Sequence, residues 1–428
     1  MIIYTVRPGD TLLSVAEQFS LSPALAAADN GITPGTPLAE GQALVLRTPE
    51  LTYTVEAGDT LSSVARRFGV SENVLWQNNP LLGGREAIYP GQTIVISYGA
   101  PRLGLEKRTN GYAYTYISDE TLRRTLPYLT YLSIFSYGLN PDGTLVPPRQ
   151  DDTRLIDLAR EYGATPVMML TSITAQGTFS NELINTILEN PSLAAAVTDA
   201  AVSVVREKGY GGIECDFEYI SGENADAYTS FVAGLKAALG EGYTVFCDLA
   251  PKTYAAMPGL LYEAHNYDAL GNAADFAFLM TYEWGYSYGP PMAVSPVGNV
   301  RRVLEYAVGA IPPAKIFMGL PSYGYDWRLP YERGVTVAES LSAREATELA
   351  ARLGVAIQFD TDAMAPYFYY TDADGVSHVV WFQDARSVEA LASLAAEFSL
   401  AGIGVWNIMR PFPALWTVLS GLYSIVKL

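Results

Sequence analysis

The sequence predicts an α/β protein that starts with two small βααβ units and continues into a closed barrel of eight parallel strands. Three observations predict this fold. A segment is duplicated near the N-terminus, eight apolar runs alternate with helical stretches, and one run carries its charges on a single side. The chain has 428 residues, 49% of them hydrophobic, which is enough for more than one core.

The duplicated segment reads YTVRPGDTLLSVAEQFSLS from Tyr4 and YTVEAGDTLSSVARRFGVS from Tyr53. In each copy an alternating strand ends at a Gly-Asp turn, and Asp or Thr then caps a helix with an apolar face. A second short helix and a closing strand, GQALVL or GQTIVI, complete the unit. We expect the two units to occupy residues 1–48 and 51–98.

This pattern resembles the LysM domain, which binds N-acetylglucosamine-containing glycans such as peptidoglycan and chitin. The resemblance implies glycan contacts at Gly9, Asp10, Thr11 and Asn30 in the first copy and at Gly58, Asp59, Thr60 and Asn79 in the second. Two weak sites on one chain strengthen binding to a polymer through effective concentration. The structural alternative is a repeat that only packs against the rest of the chain.

The eight apolar runs follow a connector, SYGAPRLGLEKRTNG, in a domain expected at 104–428. They begin at Gly111, Leu129, Thr165, Gly211, Tyr243, Asp275, Lys315 and Gly402. Eight strand–helix units in about 320 residues predict a (β/α)8 TIM barrel with insertions. The long interval between the seventh and eighth runs predicts a small α/β insertion, at about 328–398, that walls one side of the cleft.

The fourth run, GGIECDFE, carries Glu214, Asp216 and Glu218 at every second position. Because side chains alternate along a strand, the three carboxylates share one side, which in a barrel is the interior. They end at the C-terminal mouth, where the active sites of such barrels lie. Crowded carboxylates cannot all ionise freely, so one pKa is raised, and an acid that keeps its proton near neutral pH can protonate a leaving group.

The acidic strand resembles the fourth strand of the family-18 glycoside hydrolases, which carries Asp-Gly-x-Asp-x-Asp-x-Glu. The resemblance makes Glu218 the catalytic acid and Asp216 the residue that orients the substrate's acetamido group. Tyr282, in the run MTYE, matches the family tyrosine that contacts the same group. Two positions depart from the family: Gly211 and Glu214 each stand where it has Asp, and the longer Glu214 alters proton sharing with Asp216.

Four further residues are candidates for substrate binding together with Glu214. Trp406 matches the tryptophan that floors the family's subsite, and Glu283 stands where the family has Asp. Trp284 and Tyr323 offer rings for stacking on sugars. With the LysM-like repeats and the run TYEWGYSYGPPMAVSP, the chain is similar to the LysM-containing N-acetylglucosaminidases of bacterial spores, which digest cortex peptidoglycan fragments during germination.

The resemblance implies a retaining, substrate-assisted hydrolysis of β-1,4 bonds, one of the exceptions to the two-carboxylate scheme. Glu218 protonates the glycosidic oxygen, and the substrate's own acetamido oxygen attacks the anomeric carbon. This chemistry needs no cofactor and no metal. Two alternatives remain open: a chitinase-type hydrolase, and a glycan-binding spore coat protein that turns nothing over.

Composition excludes several other classes of function. The net charge of −18 makes nucleic acid a poor partner. Two cysteines and two histidines cannot build a conventional zinc site, and they make a Ser-His-Asp mechanism a poor fit. We find no recognisable signal peptide and no run long enough to span a membrane, which favours assembly at the spore coat or cortex boundary, or otherwise at the cell wall.

Overall fold

The computed structural model describes all 428 residues, and its two N-terminal units have the predicted βααβ order. The first contains β1 (Ile2–Thr5), α1 (Leu12–Gln18), α2 (Pro23–Asn30) and β2 (Ala43–Leu46). The second contains β3 (Leu51–Thr54), α3 (Leu61–Phe68), α4 (Glu72–Asn78) and β4 (Thr93–Ser97). The two strands of each unit pair antiparallel.

Eight parallel strands then close a barrel, which confirms the predicted fold class. They are β5 (Leu105–Tyr114), β6 (Tyr131–Leu139), β8 (Thr165–Thr171), β9 (Gly212–Asp216), β10 (Thr244–Leu249), β11 (Phe276–Leu279), β12 (Ile316–Pro321) and β18 (Gly402–Trp406). Neighbours in the barrel follow chain order, and β18 pairs back onto β5. Two short strands extend the sheet: β7 (Leu145–Val146) pairs with β6, and β19 (Tyr423–Ile425) pairs with the start of β5.

Helices surround the barrel and cover the outward side chains of its strands. They are α5 (Asp119–Thr125), α6 (Thr153–Glu161), α7 (Asn181–Glu189), α8 (Pro191–Lys208), α9 (Ala225–Leu239), α10 (Tyr267–Ala273), α11 (Val297–Ala310), α13 (Ala385–Glu397) and α14 (Pro413–Leu422). Inside the barrel a separate layer of buried rings, including Tyr131, Phe246 and Phe317, fills the space below the site. The interior is therefore packed below, as in other barrels of this kind.

The predicted α/β insertion lies between β12 and β18. It contains β13 (Tyr323–Arg328), β14 (Glu339–Ser342), α12 (Ala343–Leu353), β15 (Gln358–Asp360), β16 (Ala365–Thr371) and β17 (Ser377–Trp381), in an antiparallel sheet of order β14-β13-β17-β16-β15. The prediction of one strand in KIFMGLPSYGYDW is wrong, because that run divides into β12 and β13 at Ser322. The Ser322 N–H donates to the carbonyl of Trp406 at 3.1 Å, which is the last contact to the barrel sheet before β13 begins.

The first barrel strand also begins earlier than expected, at Leu105 instead of Gly111. Its charged residues give the segment the composition of a connector. The structure places Lys107 in the strand with its side chain buried, and its ammonium group donates to the carbonyl of Leu400. A buried amine that finds a carbonyl acceptor is tolerated in a strand, which sequence patterning does not anticipate.

The N-terminal units pack directly on the barrel. The Gln77 side chain donates to the carbonyl of Pro127 at 2.8 Å, and the Thr417 hydroxyl donates to the carbonyl of Asp29 at 3.1 Å. Two glycines mark the closest approach: a Cβ on Gly41 would lie 1.9 Å from the carbonyl oxygen of Ile357, and one on Gly84 2.1 Å from that of Arg123. The units are therefore held by close backbone contacts to the barrel and its insertion.

Candidate active site

The acidic strand β9 lies between β8 and β10, and it brings the predicted carboxylates to the barrel mouth. Glu214 and Asp216 project inward from the strand, whereas Glu218 lies two residues beyond its end. Asp216 and Glu218 line a cavity of about 280 Å³. Gly211, which precedes the strand, has no room for a side chain, because a Cβ there would lie 2.3 Å from the methyl carbon of Thr165.

Glu214 is fully buried beneath the cavity and does not line it. Its carboxylate accepts hydrogen bonds from the hydroxyl of Tyr112 at 2.7 Å, from the hydroxyl of Ser133, and from the amide of Asn110 at 3.3 Å. These donors stabilise the ionised form, although burial raises its pKa. The structure thus places Glu214 in a layer of polar support, and its predicted contact with substrate remains a prediction.

Asp216 has very different surroundings from its neighbour on the strand. Its Oδ1 atom is buried and has no hydrogen-bond partner. Burial raises its pKa well above the ordinary value, and the nearby charges of Glu218 and Glu214 raise it further. A carboxyl group that lines a cavity and has an oxygen without a partner is suited to a ligand's hydrogen bond.

Glu218 lies at the mouth of the cavity in a position suited to an acid. Burial raises its pKa, and the neighbouring charge of Glu283 raises it further. The carboxyl group therefore keeps its proton to a higher pH than a free glutamic acid, as protonation of a leaving group requires.

Glu283 connects the mouth to the insertion. It lines the cavity and adopts a φ of 65°, a conformation that non-glycine residues rarely adopt. Its carboxylate accepts hydrogen bonds from the hydroxyls of Tyr323 and Tyr325, the latter at 3.0 Å, and both tyrosines belong to β13. The insertion therefore walls the cleft, as predicted. The Tyr323 hydroxyl is engaged with Glu283, and its stacking on a sugar remains a prediction.

Aromatic side chains complete the cavity. Trp406 ends β18, and its ring packs against those of Tyr112 and Phe135 at centroid distances of 5.6 and 5.4 Å. Tyr282 and Trp284 also line the cavity. Burial raises the pKa of Tyr282 well above its ordinary value, and the charge of Asp248 raises it further, so the hydroxyl is an O–H donor.

Sequence reasoning missed Asp248, at the end of β10. It lines the cavity and is almost fully buried, and its Oδ1 atom has no hydrogen-bond partner. Burial raises its pKa well above the ordinary value, as do the charges of Glu214 and Asp216. The available signal was the run VFCDLAP, in which an acidic residue ends the strand next to the acidic strand. Tyr112, Ser133 and the first-strand Asn110 were missed because tyrosine, serine and asparagine are common in strands and turns.

The predicted glycan contacts of the N-terminal units have equivalent geometry in both copies. Gly9 and Gly58 adopt φ values of 83° and 92° in the turn, where glycine avoids strain. The following aspartates accept from a tyrosine hydroxyl at 2.7 Å: Asp10 from Tyr4, and Asp59 from Tyr53. Thr11 and Thr60 cap the next helix with reciprocal bonds to a serine.

The two asparagines at the ends of the second helices form structural contacts. The Asn79 amide donates to the carbonyls of Leu75 and Val95 at 2.8 and 2.7 Å, and its oxygen accepts from the Val95 N–H at 2.7 Å. Asn30 makes the same three bonds in the first unit, to Ala26 and Val45. These bonds join helix to closing strand and occupy the amide. A glycan contact by either asparagine remains a prediction.

A larger cavity, of about 720 Å³, lies away from the carboxylates. It is bounded by the segment after α2, by α5 and α12, and by the residues that follow β18. None of the buried acids of β9 and β10 lines it. We therefore place the chemistry in the smaller cavity, where titratable groups with raised pKa values converge.

The barrel and its acidic mouth define a TIM-barrel hydrolase with a glutamic acid of raised pKa beside a cavity of about 280 Å³. The family model of the glycosyl hydrolases family 18 matches residues 108–410, and that of the LysM domain matches 4–47 and 53–97. The chain belongs to glycosyl hydrolases family 18 and carries two LysM domains, as predicted from its motifs. It is therefore a glycosidase.

Full-length relatives share both parts of the chain. A cortical fragment-lytic enzyme of Bacillus anthracis is 36% identical over 433 residues, which cover 99% of each chain. The crystal structure of the Bacillus cereus spore cortex-lytic enzyme SleL matches with a TM-score of 0.84 at 35% identity, over 100% of this chain and 98% of that one. The Bacillus megaterium QM B1551 SleL structure matches with a TM-score of 0.82 at 37% identity, over 99% and 98%. No helix of this chain has the length and apolar character to cross a membrane.

Proposed function

We propose that the chain hydrolyses β-1,4 bonds at N-acetylglucosamine in peptidoglycan, with spore cortex fragments as its substrate during germination. The observation that carries the proposal is the cavity at the mouth. It brings together the raised-pKa acid Glu218, the unpartnered oxygen of Asp216, and the Tyr282 hydroxyl beside Trp406. The relatives are cortical fragment-lytic and spore cortex-lytic enzymes, which supports the choice of peptidoglycan.

In the first step Glu218 donates its proton to the glycosidic oxygen as the bond to the anomeric carbon breaks. The substrate's acetamido oxygen attacks that carbon and forms an oxazolinium ion. Asp216 accepts the acetamido N–H, and Tyr282 donates its O–H to the acetamido oxygen. Water, deprotonated by Glu218, then opens the ring from the same side, so the configuration is retained.

The LysM domains hold the glycan while the barrel cuts it. The turn residues Gly9, Asp10 and Thr11 and their counterparts Gly58, Asp59 and Thr60 are the proposed contacts, with Asn30 and Asn79 behind them. We keep 1–48, 51–98 and 104–428 as the domain limits, and we take the insertion as β13 to β17 instead of about 328–398. The place of action is the spore coat or cortex boundary, because the substrate lies there.

Product analysis tests the activity. The full chain is incubated with purified spore cortex fragments, vegetative peptidoglycan and chitin oligomers, and products are identified by mass spectrometry. Products from cortex with N-acetylglucosamine at the reducing end, formed by wild type and not by Glu218→Gln, are expected. The matched control is Glu223→Gln, since Glu223 is an exposed glutamate just beyond the same strand.

The other outcomes select between functions. Cleavage of chitin alone would assign a chitinase-type activity. Binding to peptidoglycan without cleavage of any substrate would leave a glycan-binding protein built on a hydrolase barrel. If Glu218→Gln and wild type gave equal amounts of product, Glu218 would not be the catalytic acid.

A further inference from the structure

The proposal concerns Asp248 and rests on the proposed function. Strands β9 and β10 pair in parallel with Phe246 opposite Glu214 and Cys247 opposite Cys215. One residue further along, Asp248 lies beside Asp216, and both side chains alternate into the barrel. Three acidic side chains, Glu214, Asp216 and Asp248, therefore share one closed space, and each is at most 8% exposed.

Hydrogen-bond donors are unequally distributed among these three carboxyl groups. Glu214 receives bonds from Tyr112, Ser133 and Asn110, and the Asp248 carboxyl group lies close enough on the adjacent strand to share a proton with it. Asp248 and Asp216 each leave an Oδ1 atom without a partner. A carboxylate that collects donors is the one that ionises, and a buried carboxyl bonded only to that carboxylate carries the proton between them.

We propose that Asp248 is a positioning residue that keeps a proton in its hydrogen bond to Glu214, so that Asp216 is left free for the substrate's acetamido group. Glu214 can share a proton with only one neighbouring acid at a time. Because Asp248 fills that place, Asp216 does not bond to Glu214, and it lines the cavity with one carboxyl oxygen still without a partner. The proton stays on Asp248 throughout the reaction, and no bond forms or breaks there.

Glutamate at position 214, one methylene longer than the family's aspartate, fits this arrangement. Gly211 and Glu214 are the two departures from the family pattern on this strand, and Glu214 was expected to alter proton sharing with Asp216. In the proposed arrangement Glu214 shares a proton with Asp248 on the adjacent strand instead. The glutamate and Asp248 thus form one pair that carries a single negative charge.

The titratable groups closest to this pair are Tyr112 on β5, Asp216 next to Glu214 on β9, and Tyr282 after β11, with Glu218 acting on Asp216. None of them is a cation. The surroundings therefore favour a proton on the pair over a second negative charge.

Two variants of the full-length enzyme test the proposal by turnover on cortex fragments. Asp248→Leu removes the donor, so Glu214 turns to Asp216 and shares its proton. We expect kcat to fall tenfold or more, because Asp216 then no longer makes its contact with the acetamido group in the transition state. KM should change little. The acidic limb of the kcat/KM profile should move up by about one pH unit, because Asp216 now shares a proton. Asp248→Asn keeps a neutral donor and should restore both values, kcat to within about threefold.

A second measurement is independent of turnover and of the folding of the leucine variant. Infrared spectroscopy distinguishes the carbonyl stretch of a protonated carboxylic acid from carboxylate bands. The difference spectrum of wild type minus Asp248→Asn at neutral pH should show the loss of one protonated acid. If it shows the loss of a carboxylate, Asp248 is ionised and the proposal is overturned.

The remaining outcomes are also decisive. Asp248→Asn as inactive as Asp248→Leu would overturn the proposal, and so would Asp248→Leu with wild-type kcat and pH profile. If Asp248→Leu lowered kcat without moving the acidic limb of the kcat/KM profile, Asp248 would only pack in the site and the proposal would be overturned. If wild type cleaves no glycan at all, the proposed function fails, and the infrared result still decides where the proton is.

Discussion

Asp59 in the second LysM domain and Asp216 in the barrel are the same side chain in opposite surroundings. Asp59 lies on the surface and accepts bonds from the Tyr53 hydroxyl and the Glu56 N–H at 2.7 and 2.8 Å, and these bonds lower its pKa. Asp216 is buried with an unpartnered oxygen, and burial raises its pKa. Because Asp59 accepts bonds from these donors, it is ionised and stabilises a turn. Asp216 has an oxygen without a donor and is therefore available to a ligand.

The contrast teaches where to look for chemistry in this chain. Both aspartates stand in duplicated or patterned motifs, so the sequence alone marks both as candidates. The structure separates them by what their oxygens already contact. A carboxylate whose donors all come from its own domain stabilises that domain, and one that lacks donors inside a cavity awaits a substrate.

The largest expected effect is on the acid. Glu218→Gln removes the proton that the leaving group needs, so kcat on cortex fragments should fall by about 10²- to 10⁴-fold, the usual contribution of a general acid. The melting temperature should stay the same or rise, because a half-buried titratable group is replaced by a neutral amide. Steady-state kinetics and thermal unfolding measure the two. A kcat within threefold of wild type would contradict the assignment of Glu218.

Tyr282 tests the acetamido side of the same cavity. Tyr282→Phe removes one O–H donor to a developing charge, and such donors contribute about 10²-fold or more to kcat. The matched control is Tyr288→Phe, because Tyr288 is an exposed tyrosine in the loop after the same strand. Equal kcat values for the two variants would show that the Tyr282 hydroxyl does not act on the substrate.

The sequence predicts the barrel well because strand and helix alternation is a periodic signal. The eight runs and the acid at the end of the fourth strand follow from it. It does not predict Leu105 as the start of β5, since Lys107 is a charge that the fold buries against a backbone carbonyl. Nor does it predict Asp248, whose part in the site depends on the register of two strands distant along the chain. Long-range pairing and burial of polar groups carry no local pattern.

Asn79 is a polar residue of a LysM domain whose role is structural, because both polar atoms of its side chain form hydrogen bonds within the domain. Asn79→Ala leaves the Val95 N–H and two carbonyls without their partner inside the second LysM domain. We expect the free energy of unfolding to fall by about 2–3 kcal/mol, as for other buried polar groups left unpaired. Denaturant unfolding measures this. Asn30→Ala should cost less, because Asn30 is less buried, and a larger loss for Asn30 would contradict the burial argument.

Asp216 should change stability in one direction with pH. Its pKa is raised in the fold, so the native state keeps a proton that the unfolded chain loses above the ordinary value of 3.8. Stability from this group is thus complete below that pH and declines as the pH rises through the raised pKa. Asp216→Asn removes the titration, and it should be more stable than wild type at alkaline pH, with the difference shrinking on acidification. Unfolding free energies measured from pH 4 to 9 would contradict this if the difference had the opposite slope.

Asp59 should give the smallest effect, with the opposite sign. Its pKa is lowered in the fold, so its contribution is present above the ordinary pKa of 3.8 and is lost as the pH falls through the lowered value. Asp59→Asn should therefore be slightly less stable than wild type at neutral pH and equal to it in strong acid. Solvent screens this exposed group, which keeps the effect small. The same pH series on both variants compares the two regions directly: slopes of opposite sign support the contrast, whereas parallel slopes would show that burial does not separate the two aspartates.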